Sequence, residues 1–502
     1  MPSDAAATAE AKTAQAGKRR ILAALSQLGA MQAAVALATL VRNKAMAVYL
    51  KPEGFGEFTQ LMILAAPFYT VVQCGMAVGL SRNAAAAETA EERQGRLAAA
   101  NFLTTALALG TLVILIPLLM SPAANGPLEA LGIHPGFGRK LMLAALLAIA
   151  PVEALRNNYM SFLQGVLDIK GLSTKRSAGV AAATAVAIPL IALFGVAGAC
   201  LQSAAAALLL ALLLGMRCRT IGYRPLAFAW DRRTAALLAS FGAASLVIGF
   251  TNNLVDALIR GRLIAVSGMA ENGLYQAALS LSAQVTAVVL GSVGAYSLAT
   301  LSQRSDAKRL SERLDELLRV VLPVAAIGLG SVGIAARPLF AVLFSAQFDS
   351  GVKYLPLLLA ANYVQVGSWA VGAPLLGCGL IRFWVAIQMA SASIRYATVM
   401  LLPEGMGAYA IAGAFLLGMI FDTAAYTVVC ARRIGIRIPP RAAVNFAAGG
   451  AAAVFAAVAG SFVAHPASLA AAAALLLGTT AAMAWPEARA AIESCRRRFG
   501  RI

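Results

Sequence analysis

Residues 177–216 read SAGVAAATAVAIPLIALFGVAGACLQSAAAALLLALLLGM, forty positions without a charged side chain. A helix rises 1.5 Å per residue, and about 20 apolar residues cross a bilayer. The stretch therefore predicts two membrane crossings, 177–195 and 198–216. Residues 97–120, 141–155 and 443–485 are almost equally free of charge. The whole chain is 60% hydrophobic and 13% charged, against about a quarter charged in soluble domains. A soluble core of 502 residues could not hide this much apolar surface. The alternating short strands of an outer-membrane barrel are absent.

Extending the same criterion predicts an all-α, polytopic membrane protein with about 14 transmembrane helices. They are placed at 21–41, 58–80, 97–119, 140–163, 177–195, 198–216, 235–260, 274–299, 316–336, 354–377, 383–402, 408–430, 443–464 and 467–485. Lys18-Arg19-Arg20 before the first span reads as the flank of an uncleaved first helix. On this plan about 30 of the 41 Lys and Arg fall on the side of the two termini, and about nine lie in loops opposite. The imbalance predicts cytoplasmic termini in a bacterial cytoplasmic membrane. It also accounts for most of the net charge of +19, so nucleic acid is excluded as a partner. Membrane lipid is the expected contact of the tail Arg496-Arg497-Arg498.

Three short matches recur at one offset. Gly56-Glu57-Phe58 parallels Gly273-Leu274-Tyr275, Leu163-Gln164-Gly165 parallels Leu375-Leu376-Gly377, and Val196-Ala197-Gly198-Ala199 parallels Ile411-Ala412-Gly413-Ala414, all 212–217 residues apart. They imply two six-helix lobes in parallel repeat with two helices appended, an arrangement used by transporters. The expected units are a disordered tail 1–17, an N-lobe 18–216, a linker 217–234, a C-lobe 235–432, helices 13 and 14 at 433–486, and a basic tail 487–502. Between lobe helices, 302–319 reads as an amphipathic connector, with Leu310, Leu314, Leu317 and Leu318 on one face and Asp315 and Arg319 four apart.

Ionisable groups inside a bilayer are costly and face a cavity or one another. The seventh expected helix carries Asn252, Asp256 and Arg260 at i, i+4 and i+8. One reading makes this stripe the wall of a polar cavity between the lobes; the other makes Asp256 and Arg260 an intrahelical pair. The first helix offers Arg42 at a matching end. Glu153 and Arg156 lie one turn apart in the fourth helix. In the eleventh, Arg395 shares a side with Gln388 and Ser391. Asp422 in the twelfth has no charged neighbour at helical spacing, so it is a proton or cation site or the partner of an arginine from another helix. Arginine offers two-pronged bonds to phosphate oxygens, so several around a watery cavity suit a pyrophosphate headgroup. The six cysteines and two histidines show no ligand or disulfide spacing, which argues against a metal. No phosphate-binding GxxxxGK[ST] loop and no nucleophilic triad is present. The pattern implies a transporter, not an enzyme, with no cofactor.

Ala47-Val48-Tyr49-Leu50-Lys51-Pro52-Glu53-Gly54-Phe55-Gly56-Glu57-Phe58 resembles the turn after the first helix of polysaccharide flippases in the multidrug/oligosaccharidyl-lipid/polysaccharide exporter superfamily. Similar likenesses lie at 75–83, at Asn272-Gly273-Leu274-Tyr275-Gln276-Ala277 and at 337–348, within a core of about 20–430. Lys51 stands where that family usually has glycine, as does Ser345. The resemblance implies two six-helix lobes, a central cationic cavity and alternating access. It implies an undecaprenyl-pyrophosphate-linked oligosaccharide as cargo, bound for O-antigen, capsule or exopolysaccharide, with a polysaccharide polymerase and chain-length machinery as working partners. Under it Arg42, Arg260, Arg395 and Arg156 are the expected pyrophosphate clamp, Asn252 and Gln388 meet sugar hydroxyls beside Asp256, and Asp422 and Glu153 are the ion-coupling candidates. Rivals are a multidrug antiporter of the same superfamily and a lipid-II-type peptidoglycan precursor flippase.

Overall fold

The computed structural model describes residues 3–301, 307–463 and 465–499, with side chains described outside 3–30, 78, 233–235, 237–241, 291–301 and 484–499. The expected tails 1–17 and 487–502 fall outside the described side chains. The helices are α1 Ser3–Gln73, α2 Met76–Ala86, α3 Ala90–Met120, α4 Asn125–Ala130, α5 Phe137–Ala148, α6 Ala150–Gly165, α7 Ile169–Thr220 and α8 Arg232–Ser267. They continue with α9 Met269–Leu301, α10 Ala307–Ile334, α11 Ala336–Leu343, α12 Leu355–Gly377, α13 Ile381–Leu401, α14 Ala408–Arg433, α15 Pro440–Val458 and α16 Pro466–Phe499. Among the described residues nine helices are long and apolar enough to cross a membrane. This is a multi-pass membrane protein.

Breaks inside the helices follow from local chemistry. The 52 residues of α7 would run about 78 Å if straight, far beyond a bilayer. Gly195, at φ 57°, divides them. In α1 the break falls at Lys51, φ 57° and ψ 178°. Pro52 follows, and proline disfavours helix at the preceding residue while suiting the first position of the next helix. Lys51 thus occupies a region that is essentially glycine's own, which is a physical reason for glycine at this place in the resembling family. The expected helix 140–163 is likewise two pieces, α5 and α6, meeting at Ile149 just before Pro151.

The repeat is written in the backbone more clearly than in the side chains. Positive-φ residues pair at the offset of the sequence matches: Lys51 with Gly268, Leu167 with Gly379, Gly195 with Gly407, and Gly222 with Gly435, separated by 217, 212, 212 and 213 residues. Gly195 and Gly407 share even their ψ, −131° and −129°. The first half packs α1, α3, α6 and α7 together; the second packs α8, α9, α12, α13 and α14. The halves meet where α1 and α2 lie against α8 and α9. At one end of this seam a Cβ on Gly273 would stand 2.0 Å from the Pro52 carbonyl oxygen, and Asn272 Nδ2 donates to the Gly56 carbonyl at 3.0 Å. At the other end a Cβ on Gly242 would stand 1.7 Å from the Cys74 carbonyl. Only glycine permits either approach. Asn253 Nδ2 donates to Thr70 Oγ1 at 2.8 Å between them.

The chain leaving each half is strapped to the third helix of that half. Arg224 N donates to Gln94 Oε1 at 2.7 Å, and Arg437 N donates to Ser311 Oγ at 3.3 Å. The first strap is held further: Asn101 Nδ2 and Tyr159 OH both donate to the Pro225 carbonyl. Nearby, Asp168 takes a two-pronged pair from Arg217, 2.6 and 2.9 Å. The amphipathic connector is the beginning of α10, with all four expected leucines buried and Arg319 paired to Asp315; its residues 302–306 lie outside the described set. The helices α15 and α16 dock on α10 and α12, where Tyr363 stacks on Phe446 at 5.4 Å.

Candidate functional site: a cationic cavity in the second half

The polar stripe of α8 opens into a cavity of about 150 Å³. Its wall includes Asp256 and Arg260 from α8, Tyr275 from α9, Arg395 from α13, and Ile411 and Phe415 from α14. All lining residues belong to the second half. The sequence reading placed such a cavity between the lobes; the charged cluster forms inside one of them, because α13 brings Arg395 to the face of α8.

The alternative reading, a pair of Asp256 with Arg260, is replaced by another pairing. Arg395 Nη1 lies 3.0 Å from Asp256 Oδ1, and Arg395 Nη2 donates to Asn252 Oδ1. Helical spacing brings Asp256 within reach of Arg260, but Arg260 turns to α9. Its Nη1 donates to Asn272 Oδ1 at 2.9 Å and its Nη2 to Gln276 Oε1 at 2.7 Å. Its guanidinium also lies over the Tyr275 ring, 4.9 Å from the centroid. Arg260 is 5% exposed and has no carboxylate partner among the described residues. Neutral amide oxygens solvate its charge without cancelling it. Among the lining side chains two guanidiniums and one carboxylate therefore leave one positive charge in excess, with the carboxylate of Asp422 attracting Arg395 from outside the lining, in surroundings where an uncompensated charge is costly. An anion entering would supply the missing partner.

The remaining candidates lie elsewhere. Arg42 does not line this cavity; its Nε is buried without a hydrogen-bond partner. Glu153 and Arg156 pair with each other on α6, 2.6 Å apart. Asp422, 1% exposed, accepts from Gln388 Nε2 at 3.1 Å rather than from an arginine. The same Nε2 donates to Tyr426 OH at 2.8 Å, so both amide hydrogens of Gln388 are spent inside the protein and only its oxygen remains for a sugar hydroxyl. Among the described residues no cluster of His, Cys, Asp and Glu could hold a metal ion.

Asn272, Tyr275 and Gln276 were not among the expected site residues. They lie 12, 15 and 16 positions beyond Arg260 and across the break at Gly268, where no helical period connects them. The one signal was the amide-rich Asn272–Gln276 segment itself.

Comparison with known proteins identifies the family and the fold. Residues 45–353 match the model of a family described as polysaccharide biosynthesis protein. The chain belongs to that family. The matched span includes Arg260, Asn272 and Gln276 and leaves out Arg42 and Arg395. Among curated relatives, the Lipid III flippase of Escherichia coli K12 is 22% identical over 198 residues, 39% of this chain and 48% of that protein. The chain thus matches about half the length of this relative. Two solved structures of a multidrug resistance MATE family transporter of the MOP superfamily share the fold. The inward-facing one has a TM-score of 0.64 at 13% identity, covering 81% of this chain and 98% of that one. The outward-facing one has a TM-score of 0.61 at 13% identity, covering 82% and 95%. This family member therefore has the MATE-type transporter fold.

Proposed function

We propose that this protein is a flippase that moves an undecaprenyl-pyrophosphate-linked oligosaccharide across the bacterial cytoplasmic membrane by alternating access, for assembly of a surface polysaccharide. The observation that carries this reading is the buried Arg260 guanidinium, held by two amide oxygens and a tyrosine ring, with no carboxylate paired to it among the described residues, in the wall of a cavity it shares with Arg395. Such a site favours an anion. It disfavours the cationic cargo of a drug exporter. Family membership and a relative named as a flippase point to the same process. In this reading Arg260 and Arg395 receive the pyrophosphate. Asp422, with one carboxylate oxygen unpartnered, is the candidate for a coupling proton or cation, and both termini lie in the cytoplasm, a topology supported by the excess of Lys and Arg on their side.

Cells lacking the protein test the reading. Lipid-linked oligosaccharide accumulates on the cytoplasmic leaflet and surface polysaccharide disappears, and mass spectrometry of the accumulated lipid then names the glycan. Unchanged lipid-linked pools with increased drug sensitivity would instead establish a drug exporter.

A further inference from the structure

We infer that Asp256 is a displaceable counter-ion that guards the anion site against singly charged lipids and surrenders Arg395 only to a multiply charged headgroup. The inference rests on the flippase reading of this cavity.

Four observations lead to it. First, the pair is one-pronged: the ion-pair contact joins Arg395 Nη1 to Asp256 Oδ1, whereas a guanidinium facing a carboxylate squarely makes two parallel bonds. Second, the partners are unequally buried. The Arg395 side chain is 11% exposed and that of Asp256 48%. The carboxylate therefore stands on the open side, and an arriving anion meets it before the guanidinium. Third, among the described residues Asp256 hydrogen-bonds no second cation. Arg260, one turn along α8, turns Nη1 to Asn272 and Nη2 to Gln276, and its remaining N–H groups are left for an arriving anion. Displaced, the carboxylate turns into the open cavity that it already lines. Fourth, Arg395 stays in place when Asp256 leaves, because Nη2 is bonded separately to Asn252 Oδ1.

The physical consequence is a threshold. A membrane offers abundant phosphodiester headgroups carrying one negative charge. With Asp256 in place, such a headgroup would trade one singly charged partner of Arg395 for another and gain little. A diphosphate carries more charge than the carboxylate and can engage Arg260 and Arg395 together, so it gains on both counts. After translocation the carboxylate reclaims Arg395 and assists release. Asp256 is thus a specificity residue that acts on the site's arginines and makes no favourable contact with the cargo.

The experiment uses the full-length protein in nanodiscs of phosphatidylcholine, with inorganic pyrophosphate as the probe, and repeats each titration with phosphatidylglycerol added. Asp256→Asn is expected to bind pyrophosphate about tenfold tighter than the unaltered protein, and phosphatidylglycerol is expected to inhibit its binding while leaving the unaltered protein unaffected. Asp256→Glu, which keeps the charge, should behave as the unaltered protein. In Asp256→Asn combined with Arg395→Ala the gain should vanish, since the arginine through which it acts is gone. In reconstituted transport Asp256→Asn should lower both KM and the maximal rate. If Asp256→Asn does not yield monodisperse protein, Asp256→Ser takes its place. Equal affinity and equal lipid sensitivity in the charge-removed and unaltered proteins, with binding lost in Arg260→Ala, would overturn the counter-ion and leave the anion site standing. Absence of pyrophosphate binding in every protein, the unaltered one included, would overturn both.

Discussion

The two halves of this protein share a backbone plan and differ in what they bury. Four positive-φ residues recur at the repeat interval, so both halves turn at the same places, and each straps its departing chain to its third helix through the backbone N–H of an arginine. The interiors diverge. In the first half Glu153 and Arg156 satisfy each other within one turn of α6, and Asn158 bonds to Asn101 and Thr104. In the second half the arginines outnumber the carboxylate at the cavity. Both halves keep the same backbone turns, while their buried guanidiniums are held differently: Arg42 in the first half has a buried Nε without a hydrogen-bond partner, and Arg260 in the second rests on two amide oxygens.

The largest effect that would test this contrast is at Arg260. Arg260→Ala is expected to reduce transport at least about a hundredfold with normal expression, as loss of a charge-assisted contact of nearly 3 kcal/mol would do. Arg260→Lys should retain part of it, because charge persists while the fork is lost. Equal transport in all three would remove the arginine from the mechanism. Next comes the first-half pair. Glu153→Gln together with Arg156→Met should keep transport within about threefold, while either change alone lowers thermal stability by about 1–2 kcal/mol by stranding a partly buried charge. A collapse of transport in the double variant would show that the first half contributes charge to the cycle.

Smaller effects concern the straps and breaks. Asn101→Ala should destabilise the first half by about 1–2 kcal/mol, because it removes the donor to the Pro225 carbonyl and the acceptor of Asn158 Nδ2. Ser311→Ala should cost less, since the second strap rests there on a single long bond; thermal unfolding in detergent compares the two. The Arg217 guanidinium, by hydrogen bond and charge, holds the Asp168 carboxyl below its ordinary value. A depressed carboxyl contributes stability above its unfolded-state pKa and loses it as pH falls through the lower folded-state value. Unfolding below about pH 4 should therefore be less steep in pH for Asp168→Asn than for the unaltered protein. The smallest shift is expected at Lys51, where Lys51→Gly should raise stability by about 1 kcal/mol by relieving a backbone region that glycine alone occupies freely.

Much of this architecture was legible beforehand because lipid leaves few options. Backbone polar groups unmet by water must close on themselves, so uncharged stretches such as 177–216 are bound to be helical. The repeat was legible because the glycine-rich matches lie next to the breaks that require special φ values, as at Gly195 and Gly407. The local pairs Glu153 with Arg156 and Asp315 with Arg319 were legible from helical spacing, but the partners of Asp256, Arg260 and Asp422 were not. Within α8 the spacing of Asp256 and Arg260 satisfied the rule for an intrahelical pair, yet each side chain left the helix for a better partner. Asp422 invited an arginine and received the Gln388 amide. Arg42 matched the end of its repeat counterpart but reaches no part of the cavity.

Sequence by itself determined that the chain is helical and membrane-embedded, that it is built twice over, and which helices carry charge into the bilayer. These follow from transfer energies and local dihedral preferences, which act over a turn or a span. Tertiary structure alone decided that Arg395 rather than Arg260 neutralises Asp256, that Arg260 rests on Asn272 and Gln276 across the Gly268 break, and that the cavity lies within the second half. Those outcomes depend on which helices lie side by side, and a hydrogen bond of 3 Å is decided by that packing and not by separation along the chain.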